Sequence, residues 1–178
     1  ELINNLKYQQ AIGLLNKSTT YGIIDNRLKS LSVFWKAEAY YRMKNYNDAI
    51  DSYRTFIEEP GVYQLDEYGL ALYGTGYSYF QQQQYHEASD WFRKFVTRMN
   101  QAKVRIVGDA LNRTGDCFFI RKDYYSAIDF YDRSIANGTT DIDYALFQKG
   151  LSLGVLNKEE QKIEVLNQLI SRYQASNF

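Results

Sequence analysis

Apolar residues fall at helical spacing along this chain, and the helical stretches themselves return at a fixed period. A phrase Tyr-x-x-Ala, with an aromatic residue or Leu four positions after the Ala, occurs at Tyr8–Ala11–Leu15, Tyr46–Ala49–Tyr53, Tyr85–Ala88–Phe92 and Tyr124–Ala127–Tyr131. Successive alanines of the phrase are 38, 39 and 39 residues apart. Ala37, Gly76 and Gly115 each stand 12 residues before the Ala of their own repeat, and an aromatic (Tyr40, Tyr79, Phe118) follows each three residues on. Positions i, i+4 and i+7 share one helix face, so Val33, Ala37 and Tyr40 mark a buried stripe. Self-similarity at a period of this size predicts stacked helix pairs.

The predicted elements follow. Residues 1–5 read as the end of a helix, Tyr8–Lys17 as the second helix of a partial repeat (1–26), and Ser18–Asn26, with its Thr, Gly and Asn, as a loop. The first full repeat, 27–61, pairs helices near 27–43 and 46–58. The second, 65–100, pairs 65–82 with 85–98; the third, 104–138, pairs 104–120 with 124–136; the fourth, 141–173, pairs 141–156 with 159–173. A turn as short as Lys44–Asn45 requires antiparallel neighbours. Pro60–Gly61 and Asn137–Gly138 end second helices, since Pro breaks the backbone ladder and Gly accepts the exit conformation. Gly inside a helix costs about 1 kcal/mol relative to Ala. Its use in phase at 76, 115 and 150 implies helices in close approach. In the fourth pair Lys162 stands where Ala is expected, so that pair is expected to pack differently. No unit buries its apolar face alone, so stability depends on neighbours.

Composition narrows the function classes. Lys plus Arg equals Asp plus Glu at 21 each, and no basic stripe is visible, which argues against nucleic acid as a partner, since phosphate neutralisation carries that affinity. No run approaches the roughly 20 apolar residues of a membrane span. The 17 Tyr suit helix faces that need bulk with a polar tip. A single Cys allows no internal disulfide and leaves the redox compartment open. The chain opens on Glu1 inside a repeat, without an initiator Met, as a mature fragment would.

The residues in phase resemble the tetratricopeptide repeat family, whose pattern has an apolar residue at its fourth position, Gly or Ala at the eighth, an aromatic at the eleventh, Ala at the twentieth and an aromatic at the twenty-fourth. Leu72, Gly76, Tyr79, Ala88 and Phe92 match in order and spacing. So do Leu111, Gly115, Phe118, Ala127 and Tyr131, and Val33, Ala37, Tyr40, Ala49 and Tyr53 with Pro60 nearby. The resemblance covers nearly the whole chain and implies an all-α, right-handed α-α superhelix, a solenoid of antiparallel helix pairs. The period of 39 exceeds the family's 34, the added residues lying beyond the Ala of the second helix. Lengthened repeats of this kind, and the ending Leu166–Leu169–Ile170–Ser171–Arg172–Tyr173, look like bacterial cell-envelope proteins such as outer-membrane assembly lipoproteins and cell-division coordinators. That likeness favours the periplasm or cell envelope over the cytoplasm.

The resemblance also implies a groove lined by first helices. Its positions fall on Phe34, Tyr73, Asn112 and Phe147 (fifth), Glu38, Tyr77, Asp116 and Leu151 (ninth), Tyr41, Phe80 and Phe119 (twelfth), and Leu31, Leu70, Asp109 and Tyr144 (second). The expectation is an aromatic groove with an acidic spot at Asp109, Asn112 and Asp116, suited to an extended or helical protein segment, a basic one by preference. The competing expectation is a structural spacer or homo-oligomer, with many of these aromatics in the core. The two-carboxylate clamp of some family members is rejected, because no Lys occupies the second or fifth position.

No enzyme, metal or cofactor chemistry is expected. His86 is the only His and reads as a solvated turn residue. Cys117, beside Phe118 within a helix, reads as a small buried hydrophobe. Gly74-Thr75-Gly76 lacks the third Gly and preceding strand of a phosphate loop. Lys158-Glu159-Glu160 reads as a solvated helix start, with Glu near the positive end of the dipole.

Overall fold

In four helix pairs the two helices are joined by the same reversal. The computed structural model describes residues 7–21, 26–99 and 104–178, with residues 18–21 described by their backbone. Among them are nine α-helices and no strand: α1 Tyr8–Tyr21, α2 Asn26–Arg42, α3 Tyr46–Glu58, α4 Asp66–Gln81, α5 Tyr85–Arg98, α6 Arg105–Ile120, α7 Tyr124–Asn137, α8 Ile142–Val155 and α9 Glu159–Arg172. At the end of each first helix one residue takes the left-handed conformation: Lys44, Gln83, Lys122 and Asn157, with φ between 56° and 63°. The following N–H then reaches back to a carbonyl five residues earlier, as in Asn45 to Tyr40 (3.0 Å), Gln84 to Tyr79 (3.0 Å), Asp123 to Phe118 (2.9 Å) and Lys158 to Leu153 (2.9 Å). These bonds satisfy carbonyls that a helix end would otherwise leave open.

The predicted helices are present at nearly the predicted bounds. One expectation is corrected. The loop predicted from Ser18 begins later, because α1 continues through Tyr21; Ser and Thr are weak helix formers but seldom stop a helix already propagating. The rest of that loop before Asn26, and the helix end expected at residues 1–5, lie outside the described residues. One element was not foreseen, a 3₁₀ turn at Val62–Gln64. It follows Gly61, whose φ of 83° is open to Gly at no steric cost. The turn places Val62 in the core.

The chain packs as two compact units, Glu1–Trp91 and Phe92–Phe178. In the first, Phe34 and Ala37 of α2 pack with Ala49, Tyr53 and Phe56 of α3, Val62, and Ala71 of α4. On the other side of α2, Ala39 meets Ala11 and Ile12 of α1. Small residues at 37 and 39 thus let α2 approach helices on both sides. In the second unit Ala127 and Tyr131 of α7 pack with Ala145 of α8. Leu146 and Leu153 of α8 join Val165 and Leu169 of α9, with Ile128 and Ile135 of α7 against them. Each fully buried Phe or Leu contributes about 1.5–3 kcal/mol.

Three glycines inside helices lie where a partner ring or branched chain fills the space. A Cβ on Gly115 would stand 2.5 Å from Tyr131, and one on Gly74 would stand 2.5 Å from Tyr53. In the fourth pair Leu166 takes the aromatic's place, 2.7 Å from a Cβ on Gly150, while the Lys162 stem lies over Gly154 at 3.3 Å. That is how this pair accommodates a Lys in place of Ala: its long side chain runs along a second glycine. Two buried threonine hydroxyls are satisfied within their own helix. Thr75 and Thr114, in phase, donate to the carbonyls of Ala71 and Ala110 at 2.7 Å each.

Candidate functional site

The sequence-predicted groove residues fall into two sets, one in each unit. In the first unit, α2 and α4 touch, and α4 carries a run of half-buried rings. Tyr73 meets Tyr77 edge-on at 4.9 Å, Tyr77 lies 6.3 Å from Phe80, and Phe80 meets Tyr85 edge-on at 5.4 Å. On α2, half-buried Tyr41 lies 5.7 Å from Tyr46. These spacings are those of favourable aromatic pairs. The backbone explains the run: positions 73, 77 and 80 lie on one stripe of α4, and the left-handed turn at Gln83 brings Tyr85 beside its end.

Phe34 departs from the groove expectation. It is 1% exposed and is enclosed by Trp35, Tyr53 and Phe56 at centroid distances of 5.2, 6.1 and 5.5 Å. It is a core residue, and its neighbour Trp35 is the more exposed of the two. Glu38 is half-buried, accepts a short hydrogen bond from the Tyr53 hydroxyl, and lies 3.9 Å from Arg42. Burial and the Glu38 charge push the Tyr53 hydroxyl well above the ordinary tyrosine range.

In the second unit the expected acidic spot is partly compensated. Arg113, one position after Asn112, pairs with Asp116 at 2.6 Å and lies 3.6 Å from Asp109. Asp116 itself is 6% exposed. Its Oδ1 accepts from the hydroxyls of Tyr131 (2.9 Å) and Tyr144 (2.8 Å), and the Arg113 guanidinium lies 5.1 Å from the centre of the Tyr144 ring. Burial pushes the Asp116 carboxyl upward, and the guanidinium and two hydroxyls pull it part of the way back. Tyr144 is pushed up to about 12, chiefly by burial and then by the Asp116 charge. Asn112 is fully buried; its amide donates to the Asp141 carbonyl at 3.4 Å, while its Oδ1 has no partner. Of the expected trio, only Asp109 keeps an appreciable exposed surface. Phe119 is half-buried against Tyr124 at 5.4 Å, and Phe147 is half-buried on α8.

Sequence reasoning missed Arg113 and the tyrosine partners. The signal was present. An acid at the ninth position accompanies Tyr at the twenty-fourth (Glu38 with Tyr53, Asp116 with Tyr131), whereas Tyr77 and Leu151 at the ninth accompany Phe92 and Leu166. The acids are hydrogen-bond acceptors for buried hydroxyls, 15 residues on in each case.

The remaining singled-out residues are placed as follows. His86 lies in the first turn of α5, exposed, 3.7 Å from Asp90. Cys117 is buried in α6, with its thiol pushed up to about 12 by burial first and the Asp116 charge second. Gly74, Thr75 and Gly76 are buried within α4. Among the described residues no cluster of His, Cys, Asp or Glu is arranged to hold a metal ion, and no helix is long and apolar enough to cross a membrane.

Sequence models described as tetratricopeptide repeat match residues 34–104 and 144–176, together more than half of the chain. No curated protein matches the sequence. Among solved structures, BtubC (BKLC) from P. vanneervenii superposes with a TM-score of 0.78 at 13% identity, over 99% of this chain and 78% of that one. MamA superposes with a TM-score of 0.80 at 15% identity, over 98% of this chain and 93% of that one. The MamA of Desulfovibrio magneticus RS-1 does so with 0.76 at 11% identity, over 99% and 92%. These likenesses establish an all-α helical-repeat superhelix.

Proposed function

Because the chain belongs to the tetratricopeptide repeat family, whose fold serves as a protein-interaction scaffold, we propose that it is a non-enzymatic module holding a segment of another protein. The observation that supports this is the half-buried ring series Tyr73–Tyr77–Phe80 on α4, continued by Tyr85 at the start of α5, with Tyr41 and Glu38 on the adjoining α2. Rigid aromatics offer large contact area at low entropic cost and are the residues that most often dominate binding energy. Arg113 offsets part of the charge of Asp109 and Asp116, and the ring series itself favours a segment with apolar or aromatic anchors. The test is selection from a displayed random peptide library on the immobilised chain. Replacing Tyr73, Tyr77 and Phe80 with Ala should weaken the selected peptides more than about tenfold while the helical signal holds. Unchanged capture by the triple variant would overturn the assignment.

A second reading, self-association within a larger envelope protein, is favoured by α9. Ile163 and Ile170 are 57% and 69% exposed. They are the repeat equivalents of Ile128 and Ile135, which pack against the cluster that α8 and α9 form. Light scattering across a concentration series tests it. Mass that rises with concentration, and stays monomeric when both are changed to Ser, would support it.

A further inference from the structure

The segment after α9 folds back over the groove-side face of α8. Ser176 Oγ donates to Asp143 Oδ2 at 2.8 Å, and the Phe178 N–H donates to Ser176 Oγ at 3.2 Å. A turn closed by Ser176 N–H to the Tyr173 carbonyl, 2.9 Å, aims the segment there. The ring of Phe178 then stacks on Phe147 at 5.5 Å with 27° between planes. It also meets Tyr144 edge-on at 5.4 Å. Tyr144 and Phe147 occupy the second and fifth positions of their repeat, the positions that the family resemblance assigns to the groove.

We propose that this face of α8 is an acceptor for a segment carrying a hydroxyl residue and, two positions later, an aromatic ring, and that residues 173–178 occupy it in cis until such a partner displaces them. The chemistry is specific in three respects. Asp143 accepts from a hydroxyl. Two rings, one parallel and one perpendicular, clasp a third. The same hydroxyl takes the ring residue's own N–H, fixing the spacing at two. Phe178 remains 53% exposed, so it is only partly covered in this seat and is displaceable. A tethered segment competes at an effective concentration on the order of millimolar, which screens out weak ligands and admits one that makes further contacts. The proposal rests on the reading that this chain holds protein segments. It concerns residues of the second unit, however, so it and the assignment of Tyr73, Tyr77 and Phe80 fail independently.

The experiment uses the whole chain and, as probe, a peptide of the Tyr173–Phe178 sequence, acetylated and amidated. Phe178→Ala empties the acceptor; Ser176→Asp, which sets a charge against Asp143, empties it by a different route should the first variant lose helical signal. With either variant the peptide should give saturable amide shifts at Asp143, Tyr144 and Phe147. Wild-type chain at the same peptide concentration should show shifts several-fold smaller, and a peptide with Ala in place of the Phe should show none. Equal shifts in wild type and variants, shifts away from α8, no saturable shift in the emptied chains, or equal response to the Ala peptide would each overturn the proposal.

Discussion

The hydroxyl of Tyr131 on α7 donates to the carboxylate of Asp116 on α6 at 2.9 Å, with both residues buried. The bond ties the two helices of a hairpin at its centre, directly over Gly115. A buried acceptor that loses a donor costs about 1–3 kcal/mol. Because Tyr144 and Arg113 also serve Asp116, Tyr131→Phe should fall near the lower end, about 1 kcal/mol. Asp116→Leu should cost more, since it takes the nearest carboxylate from Arg113 and the shared acceptor from Tyr131 and Tyr144. The double variant should cost less than the two together, as the apolar Leu151 and Leu166 of the fourth repeat already illustrate. Thermal midpoints of the four chains check this; strict additivity would contradict it.

Gly115 and Gly150 provide a matched comparison. Both sit at the eighth position, and in both an added methyl meets the residue at the twenty-fourth. The Tyr131 ring is fully buried and held by Asp116, so it cannot yield. Gly115→Ala should destabilise by about 1–3 kcal/mol through overpacking. Leu166 is partly buried and can change rotamer, and Ala gains about 1 kcal/mol of helix propensity over Gly, so Gly150→Ala should be close to neutral. Urea unfolding of the two variants distinguishes the cases.

The left-handed turn residues are sites for stabilisation. A side chain in this conformation costs roughly 1–2 kcal/mol, and Asn tolerates it better than Lys or Gln. Part of the gain from Gly is offset by its greater freedom in the unfolded chain. Gln83→Gly and Lys122→Gly should each raise stability by about 0.5–1 kcal/mol, and Asn157→Gly by less. A fall in the melting temperature for Gln83→Gly would refute the role assigned to the turn.

Alkaline behaviour follows from the buried tyrosines. Tyr53, Tyr131 and Tyr144 are all raised above the ordinary tyrosine value, Tyr144 to about 12. In the unfolded chain they would ionise near pH 10. A raised folded value means that the folded state keeps its protons longer, so their contribution is whole below pH 10 and declines as pH rises through the window above it. Absorbance at the tyrosinate band should show a slow or delayed fraction whose titration coincides with loss of helical signal. Titration of all 17 tyrosines in one step near pH 10, with the fold intact, would contradict the burial.

The helices were legible because a repeat displays its pattern several times: Ala49, Ala88 and Ala127 make the spacing plain where one copy would be ambiguous. The groove was less legible. Phe34 and Tyr73 share the fifth position, yet one is core and the other half-buried, because Trp35 and Phe56 close over the first. From sequence, Asp116 on a helix face looks solvated. Its burial is decided by Tyr131 and Tyr144, residues on other helices that contribute nothing to the local pattern. Pairing across the hairpin, read 15 positions ahead, carries that information; charge on a single face does not.

The four reversals at Lys44, Gln83, Lys122 and Asn157 also divide the joints of the molecule into two kinds. Connections between pairs already vary, from the 3₁₀ turn at Val62–Gln64 to the stop at Gly138, whose φ is 71°. Those inside a pair do not vary. One residue inserted at a reversal would rotate the second helix by about 100°, turning Ala88 or Ala127 outward. The same residue spliced in between two pairs would leave the register inside each pair unchanged. Evolution, or an engineer adding a reporter, therefore has one kind of seam open to it, and the spacing of 12 between the eighth and twentieth positions is the dimension that length variation should leave untouched.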